Sequence, residues 1–376
     1  VRPVWAEVDL GAIARNVAAL RRHAAPADLC AVVKADGYGH GAAEAARAAL
    51  AGGADVLAVA LVAEGAELRD AGISSVVLVL SQASTDELDE LVARDLDATV
   101  YTDDGVRDLA AAAARAGRST ERPVRVHLKV DTGMHRVGAQ PADAVGLAKA
   151  IDADPTLELR SVFTHCAVAD EPDDPFTGVQ LERFAAVLAE IEAAGLEVPC
   201  VHAANTAAAI DHPDARLDLV RVGIGCYGID PAPALAGRVA LEPALSLHAR
   251  VSHVKRVAAG EGVSYGLRYR PSRETTIATV PLGYADGLPR RLGALGGTVL
   301  VGGVRRPIAG SVTMDQILVD CGDDPVAVGD EVVLLGAQGD ERITAADWAE
   351  RLDTIAYEVV CGISPRVPRR YREELP

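Results

Sequence analysis

Lysine is scarce in this chain, which has 33 arginines and only four lysines, Lys34, Lys129, Lys149 and Lys255. Lys34 closes the apolar run Leu29-Cys30-Ala31-Val32-Val33 and opens into a glycine-rich loop containing Tyr38. An amine can lose its proton and form a Schiff base with a carbonyl, which a guanidinium effectively cannot. A lysine kept at such a point in an arginine-biased chain therefore points to carbonyl chemistry. Several of the eight tyrosines also sit beside glycine, among them Tyr38, Tyr227, Tyr265 and Tyr284. A tyrosine in a turn is usually a packing or interface residue. As an acid or base it needs its pKa of about 10 lowered by a cationic neighbour.

Further candidates cluster at the ends of other apolar runs. VHLKVDTGMHRVG carries Lys129, Asp131 and Arg136, charges that must be paired or meet a ligand. VFTHCA ends on His165, which could stack on a flat ligand, transfer a proton, or simply be hydrogen-bonded in the core. HAANTAAAI offers the Thr206 hydroxyl. LDLVRVGIGCYGID contains Gly223-x-Gly225-x-x-Gly228, the pattern of a dinucleotide fingerprint, but that reading needs a following helix. Pro231 and Pro233 argue against one, leaving a glycine-rich turn whose backbone N–H groups can approach a phosphate. Arg221, just before it, faces either a ligand or a structural carboxylate. In the C-terminal third, Asp315 lies with Met314 in a glycine-bounded turn, AGSVTMDQ.

These residues need a scaffold. From about residue 10 to 240 the apolar runs Cys30–Val33, Val56–Ala60, Val76–Leu80, Ala98–Tyr101, Val124–Val130, Ser161–Thr164, Cys200–Ala203 and Leu219–Val222 alternate with alanine-rich helical stretches. Thr102 is the expected N-cap of one of them. That count and length predict an α/β fold with an N-terminal (β/α)8 TIM barrel, whose active site lies at the C-terminal ends of the strands. A doubly wound sheet is the competing topology. Beyond 240, short alternating strands with Gly, Pro and Asp between them predict a C-terminal mostly β domain. We therefore expect a barrel over 1–235 and a β domain over 236–376, with the first few residues able to pair with the latter.

Bulk properties narrow the partners. The chain is 49% hydrophobic and 24% charged, with a net charge of −17. This acidic balance argues against nucleic acid and against an anionic membrane surface. Six cysteines without C-x-x-C spacing predict reduced thiols, no disulfide framework and no metal site. No apolar run reaches the roughly 18 residues that span a bilayer. No signal peptide is evident in VRPVWAEVDL, so a cytoplasmic location is expected.

Taken in order, AVVKADGYGHG, DTGMHRVG, THCAVAD, VRVGIGCYGI, VSYGLRY, PLGYADG, SVTMDQ and IAYEVVCGISPRVPR resemble the alanine racemases, fold-type III pyridoxal phosphate enzymes. The likeness covers nearly the whole chain. It implies pyridoxal 5′-phosphate carried on Lys34, with its phosphate held by Tyr38, Thr206, Gly223, Ile224 and Tyr357. It implies Arg221 at the pyridine nitrogen and His165 against the ring. Arg136 would reach the substrate carboxylate, oriented by Lys129, which many members carbamylate. Tyr265, Met314 and Tyr284 would serve the site across a homodimer interface, with Asp315 in support. The activity implied is interconversion of L- and D-alanine by two bases, Lys34 and Tyr265, supplying D-alanine for peptidoglycan. Thr313 and Thr206 stand where many members have cysteine and serine, and KADGYGHG replaces KANAYGHG. The alternatives are a broader amino-acid racemase, a barrel-type amino-acid decarboxylase and a non-enzymatic pyridoxal phosphate carrier.

Overall fold

A computed structural model describes residues 2–372 of the chain. Residue contacts divide it into two units. Among the described residues, one comprises Gly11–Gly37 and Ala42–Glu242; the other comprises 2–10, Tyr38–Gly41 and 243–372. The outer limits expected for the two domains, residues 1 and 376, lie outside the described residues.

The first unit is a (β/α)8 barrel. Its strands are β1 (Asp28–Val32), β2 (Val56–Val59), β3 (Val77–Val79), β4 (Ala98–Val100), β5 (Val124–Lys129), β6 (Leu157–Phe163), β7 (Val201–His202) and β8 (Leu219–Val222). Parallel ladders join β1 to β2 and β8, β2 to β3, β4 to β5, β5 to β6, and β6 to β7. The two remaining seams are closed by a Leu78–Asp97 bridge and by backbone bonds from Asp218 to Val201 and from Arg221 to Ala204. Strands covered on both faces read as continuous apolar runs, which is why β2, β3 and β4 are legible as Val-Leu-Ala-Val, Val-Leu-Val and Ala-Thr-Val. β6 is the exception. It begins at Leu157, four residues before the expected start, because Glu158 and Arg160 are exposed at its outset and break the apolar pattern.

Local signals set the helices between strands. Thr102 caps Asp103–Arg115 by accepting from the Gly105 N–H at 3.0 Å. Leu10–Ala24 ends on Arg21, Arg22 and His23, which complement the negative end of its dipole. After β8 the chain makes a 3-10 turn, Ile224–Tyr227, and no α-helix, in keeping with Pro231 and Pro233.

The second unit is mostly β. Its larger sheet has the order Val304–Pro307, Thr298–Val301, Glu331–Gln338, Leu245–Arg250, Val4–Asp9 and Arg369–Arg372. A three-stranded sheet combines His253–Val257, Thr275–Val280 and Ile317–Gly322. The run ALSLHARVSHVKRV thus contributes to both sheets, dividing at Val251-Ser252. A shared core including Leu247, Val280, Val319, Val333 and Trp348 holds the unit together.

Candidate active site

The turn after β1 is left-handed. Ala35, Asp36, Gly37 and Tyr38 have φ of 53°, 53°, 59° and 53°, and Gly39 follows at 80°. Left-handed backbone costs a non-glycine residue about 1–2 kcal/mol, so this stretch must be held in place. Glu64 does part of this: its carboxylate accepts from the N–H groups of Ala35 at 2.6 Å, Ala60 at 2.8 Å and Leu61 at 3.1 Å. Asp36 accepts from Ala42 N–H at 2.9 Å. Lys34, half-buried, opens the turn.

Around it the barrel gathers cations. Lys129 at the end of β5 is buried, and burial together with Arg221, Arg136 and Lys34 pushes its amine down to about 8. Its ammonium nitrogen lies 5.5 Å from the centre of the Phe163 ring, and the Arg221 guanidinium lies 5.2 Å from the same ring. Arg136 is exposed in the following loop. That loop is shaped by Asp131. Partial burial would raise its carboxyl, but backbone N–H groups of Gly133 and His135, at 2.9 and 3.1 Å, hold it below the usual range.

Arg221 sits 4% exposed on β8. It donates to His202 Nδ1 at 2.7 Å, to the carbonyls of Thr164 and Ala203 at 2.7 and 2.9 Å, and to His165 Nδ1 at 3.2 Å. All these acceptors are neutral. The structural carboxylate that the sequence allowed for is absent among its described partners. Burial pushes Arg221 down to about 10, so it stays charged at neutral pH. His165 is held well below the ordinary imidazole range by desolvation and by Arg221, Lys129, Arg136 and Lys34, which keeps it neutral. Its carbonyl accepts from Gln180, which also reaches Thr132. In the turn after β8, Gly223 N–H donates to Thr206 Oγ1 at 3.0 Å. A Cβ on Gly225 would lie 2.9 Å from Thr206 Cγ2, so this tight turn has no room for a side chain.

The remaining candidates belong to the second unit. Tyr38 and Tyr357 pair with ring centres 6.3 Å apart. Tyr265, 75% exposed, projects from a turn in which its neighbours Ser264 and Leu267 have positive φ. Ser311 donates to the Tyr265 carbonyl at 3.0 Å, and Ser264 to the Ser311 carbonyl at 2.8 Å. The Tyr284 turn is tied to the next loop by Tyr284 N–H to Thr313 and Ala285 N–H to Met314. Thr313 secures that loop with its hydroxyl on Gln316. Asp315 pairs with Arg366 at 2.8 Å. Tyr265, Tyr284 and Met314 are therefore exposed residues on tethered turns.

Sequence reasoning missed Glu64, Phe163, His202 and Asp286. Asp286 is buried, accepts from Gly283 N–H at 2.9 Å and is bracketed by Arg2 at 2.5 and 3.0 Å, which fixes the Tyr284 turn. For His202 a signal existed, a polar residue inside an otherwise apolar barrel strand.

Comparison with known proteins places this geometry. Residues 8–231 match the family model described as alanine racemase, N-terminal domain, and residues 244–371 match alanine racemase, C-terminal domain. The chain is 50% identical over 375 residues to the alanine racemase of Symbiobacterium thermophilum, covering 100% of this chain and 98% of that one. It is 47% identical to that of Thermobifida fusca, with 97% of each covered. The crystal structure of alanine racemase from Streptomyces lavendulae superposes with a TM-score of 0.93 at 43% identity, covering 99% of this chain and 98% of the other.

Proposed function

Since the chain belongs to the alanine racemase family, isomerases acting on amino acids, we propose that it interconverts L- and D-alanine with pyridoxal 5′-phosphate as cofactor. The observation that carries this reading is Arg221, a buried guanidinium whose described partners are all neutral, among the residues that the family motifs mark. Such a cation suits a polar aromatic ligand with an acceptor nitrogen and an anionic phosphate. The tight Gly223–Gly228 turn and the Thr206 hydroxyl suit the phosphate. Bound pyridoxal phosphate would supply an electron sink for the Cα–H bond of an attached amino acid.

The protein supplies the rest. Lys34 would hold the cofactor through its amine and hold a proton for one face of the substrate Cα. Tyr265, contributed by the other subunit of a homodimer, serves the opposite face. Arg221, a donor only, would face the pyridine nitrogen and disfavour its protonation. His165 would lie against the ring as a neutral imidazole. Tyr38 and Tyr357 hold phosphate together with Thr206, Gly223 and Ile224. Arg136 takes the substrate carboxylate; Met314 and Tyr284 line the partner's site, and Asp315 supports them.

The lowered basicity of Lys129 supports its carbamylation. A neutral amine attacks dissolved carbon dioxide, forming the N–C bond and releasing one proton, and the resulting anion would face Arg136 and Arg221. We further assign the barrel, expected over 1–235, to most of the cofactor contacts, and the β domain, expected over 236–376, to Tyr357 and to completing the partner's site. The biological role proposed is cytoplasmic supply of D-alanine for peptidoglycan. Among the described residues no helix is long and apolar enough to cross a membrane.

The test is Tyr265→Phe in the cofactor-loaded enzyme, with α-proton exchange into D2O measured for each enantiomer. Exchange from L-alanine should fall by 10²–10⁴-fold, the scale of a lost general base, and far more than from D-alanine. Equal exchange rates for both enantiomers, unchanged from wild type, would refute the two-base assignment.

A further inference from the structure

Arg221 is the near end of a buried hydrogen-bonded chain that runs through the barrel interior to Asp97. Arg221 Nη1 donates to His202 Nδ1 at 2.7 Å, and His202 Nε2 lies 2.9 Å from Ser161 Oγ. Ser161 Oγ lies 2.6 Å from His127 Nδ1, and His127 Nε2 lies 3.1 Å from Asp97 Oδ2. The other Asp97 oxygen accepts from Arg125 Nε at 2.6 Å. Ser161 and His202 are 0% exposed, Asp97 1%, Arg221 4% and His127 5%, so water reaches none of the links freely.

The polarity of this chain follows from its two ends. A guanidinium only donates, so His202 Nδ1 must accept, and its single proton lies on Nε2. That proton goes to Ser161 Oγ. The serine's own proton then goes to His127 Nδ1, and His127 Nε2–H goes to the carboxylate, which only accepts. Desolvation and Arg221 hold His202 well below the ordinary imidazole range, in agreement with the neutral form that this order requires. With Arg125 neutralising Asp97, the order needs no charge on either histidine.

The backbone is adjusted to make the link. The β5–β6 ladder runs Val126 to Leu159 and then His127 to Ser161, skipping Arg160. Because side chains alternate faces, an unshifted register would set His127 opposite Arg160 and leave Ser161 on the other face. Bulges are rare in parallel sheets, and they recur where a side chain must be re-aimed. Phe163 stacks on His202 with ring centres 4.7 Å apart and planes 6° apart, which fixes the imidazole plane.

We propose that Asp97, His127 and Ser161 are positioning residues: together they lock the tautomer of His202 and so the orientation of the Arg221 guanidinium toward the cofactor ring. The part concerning the ring rests on the function proposed above; the tautomer lock does not.

The experiment uses the full-length, cofactor-loaded enzyme labelled with ¹⁵N-histidine, with signals assigned by His127→Gln and His202→Gln. In the wild type at neutral pH both histidines should show an unprotonated Nδ1 and a protonated Nε2, and the His202 pattern should hold from pH 6 to 9. Ser161→Ala removes one hydroxyl, and Asp97→Asn replaces the terminal acceptor by a group that can also donate. Each should move the His202 nitrogen signals, shift the cofactor absorption band and lower kcat about tenfold to a hundredfold, in line with lost orienting partners elsewhere. KM should change less than twofold, and Ser161→Thr should restore the signals. Two protonated nitrogens on either wild-type histidine would overturn the proposal. So would variants that lose thermal stability while the His202 signals, the band and kcat stay as in wild type. A wild type that racemises nothing would defeat the functional reading, while the nitrogen signals still decide the lock.

Discussion

Replacing Lys129 by methionine removes a buried amine while keeping an unbranched side chain against Phe163. The wild-type amine is pushed from 10.5 down to about 8, chiefly by burial and then by Arg221, Arg136 and Lys34. At about 1.4 kcal/mol per pH unit, the folded state carries a penalty of about 3 kcal/mol for holding this proton. Below pH 8 the lysine is protonated in both folded and unfolded chains, so the full penalty is present. Between pH 8 and 10.5 the folded state gives up its proton first, the unfolded chain binds more, and stability rises with pH. Above 10.5 the penalty is gone. The variant never has it. For a chain of 376 residues, an unfolding entropy of ~2.1 cal/mol/K per residue converts 3 kcal/mol to about 4 °C. In carbon dioxide-free buffer, the Tm of Lys129→Met minus that of the wild type should therefore fall by about 4 °C from pH 7 to pH 10.5. Using the difference cancels the titration of tyrosines and other lysines common to both. Bicarbonate at pH 7 should shrink the gap by raising the wild-type Tm, since the carbamate is an anion among cations. Parallel Tm–pH curves for the two proteins would refute the reasoning.

Two further substitutions probe the second unit. Asp286→Asn removes the buried carboxylate that the partly exposed Arg2 and Arg366 both approach. Losing its charge-assisted hydrogen bonds costs about 2 kcal/mol, so a Tm about 2–3 °C lower is expected by calorimetry, and an unchanged Tm would contradict the role given to this pair. Gly39→Ala puts a Cβ 2.4 Å from the Val360 carbonyl at φ of 80°. It should destabilise by more than ~1 kcal/mol and separate Tyr38 from Tyr357. The check is a pyridoxal phosphate titration followed by absorbance, in which a wild-type affinity would argue against Tyr38 as a phosphate holder.

Much of the fold was legible because a two-sided barrel strand has no polar face to disguise it. Short runs such as Val77–Val79 announce themselves, whereas the start of β6 is hidden because Glu158 and Arg160 are exposed before its buried half. Lys34 stood out by its scarcity and its glycine-tyrosine loop. The left-handed path of that loop was not legible, because Ala35 and Asp36 adopt φ of 53° with no glycine at their own positions. Arg221 was legible as a candidate but its partners were not. His202, Ser161, His127 and Asp97 lie far apart in sequence, and a one-residue register shift in β5–β6 brings two of them together. Pattern reading cannot locate such a shift.

The most direct test of the central claim is to load the purified chain with pyridoxal phosphate, add L-alanine, and follow both enantiomers by chiral chromatography. Conversion to equal amounts of L- and D-alanine, with total alanine conserved, is the predicted result. L-alanine that stays unchanged, or that disappears without D-alanine forming, would contradict the account.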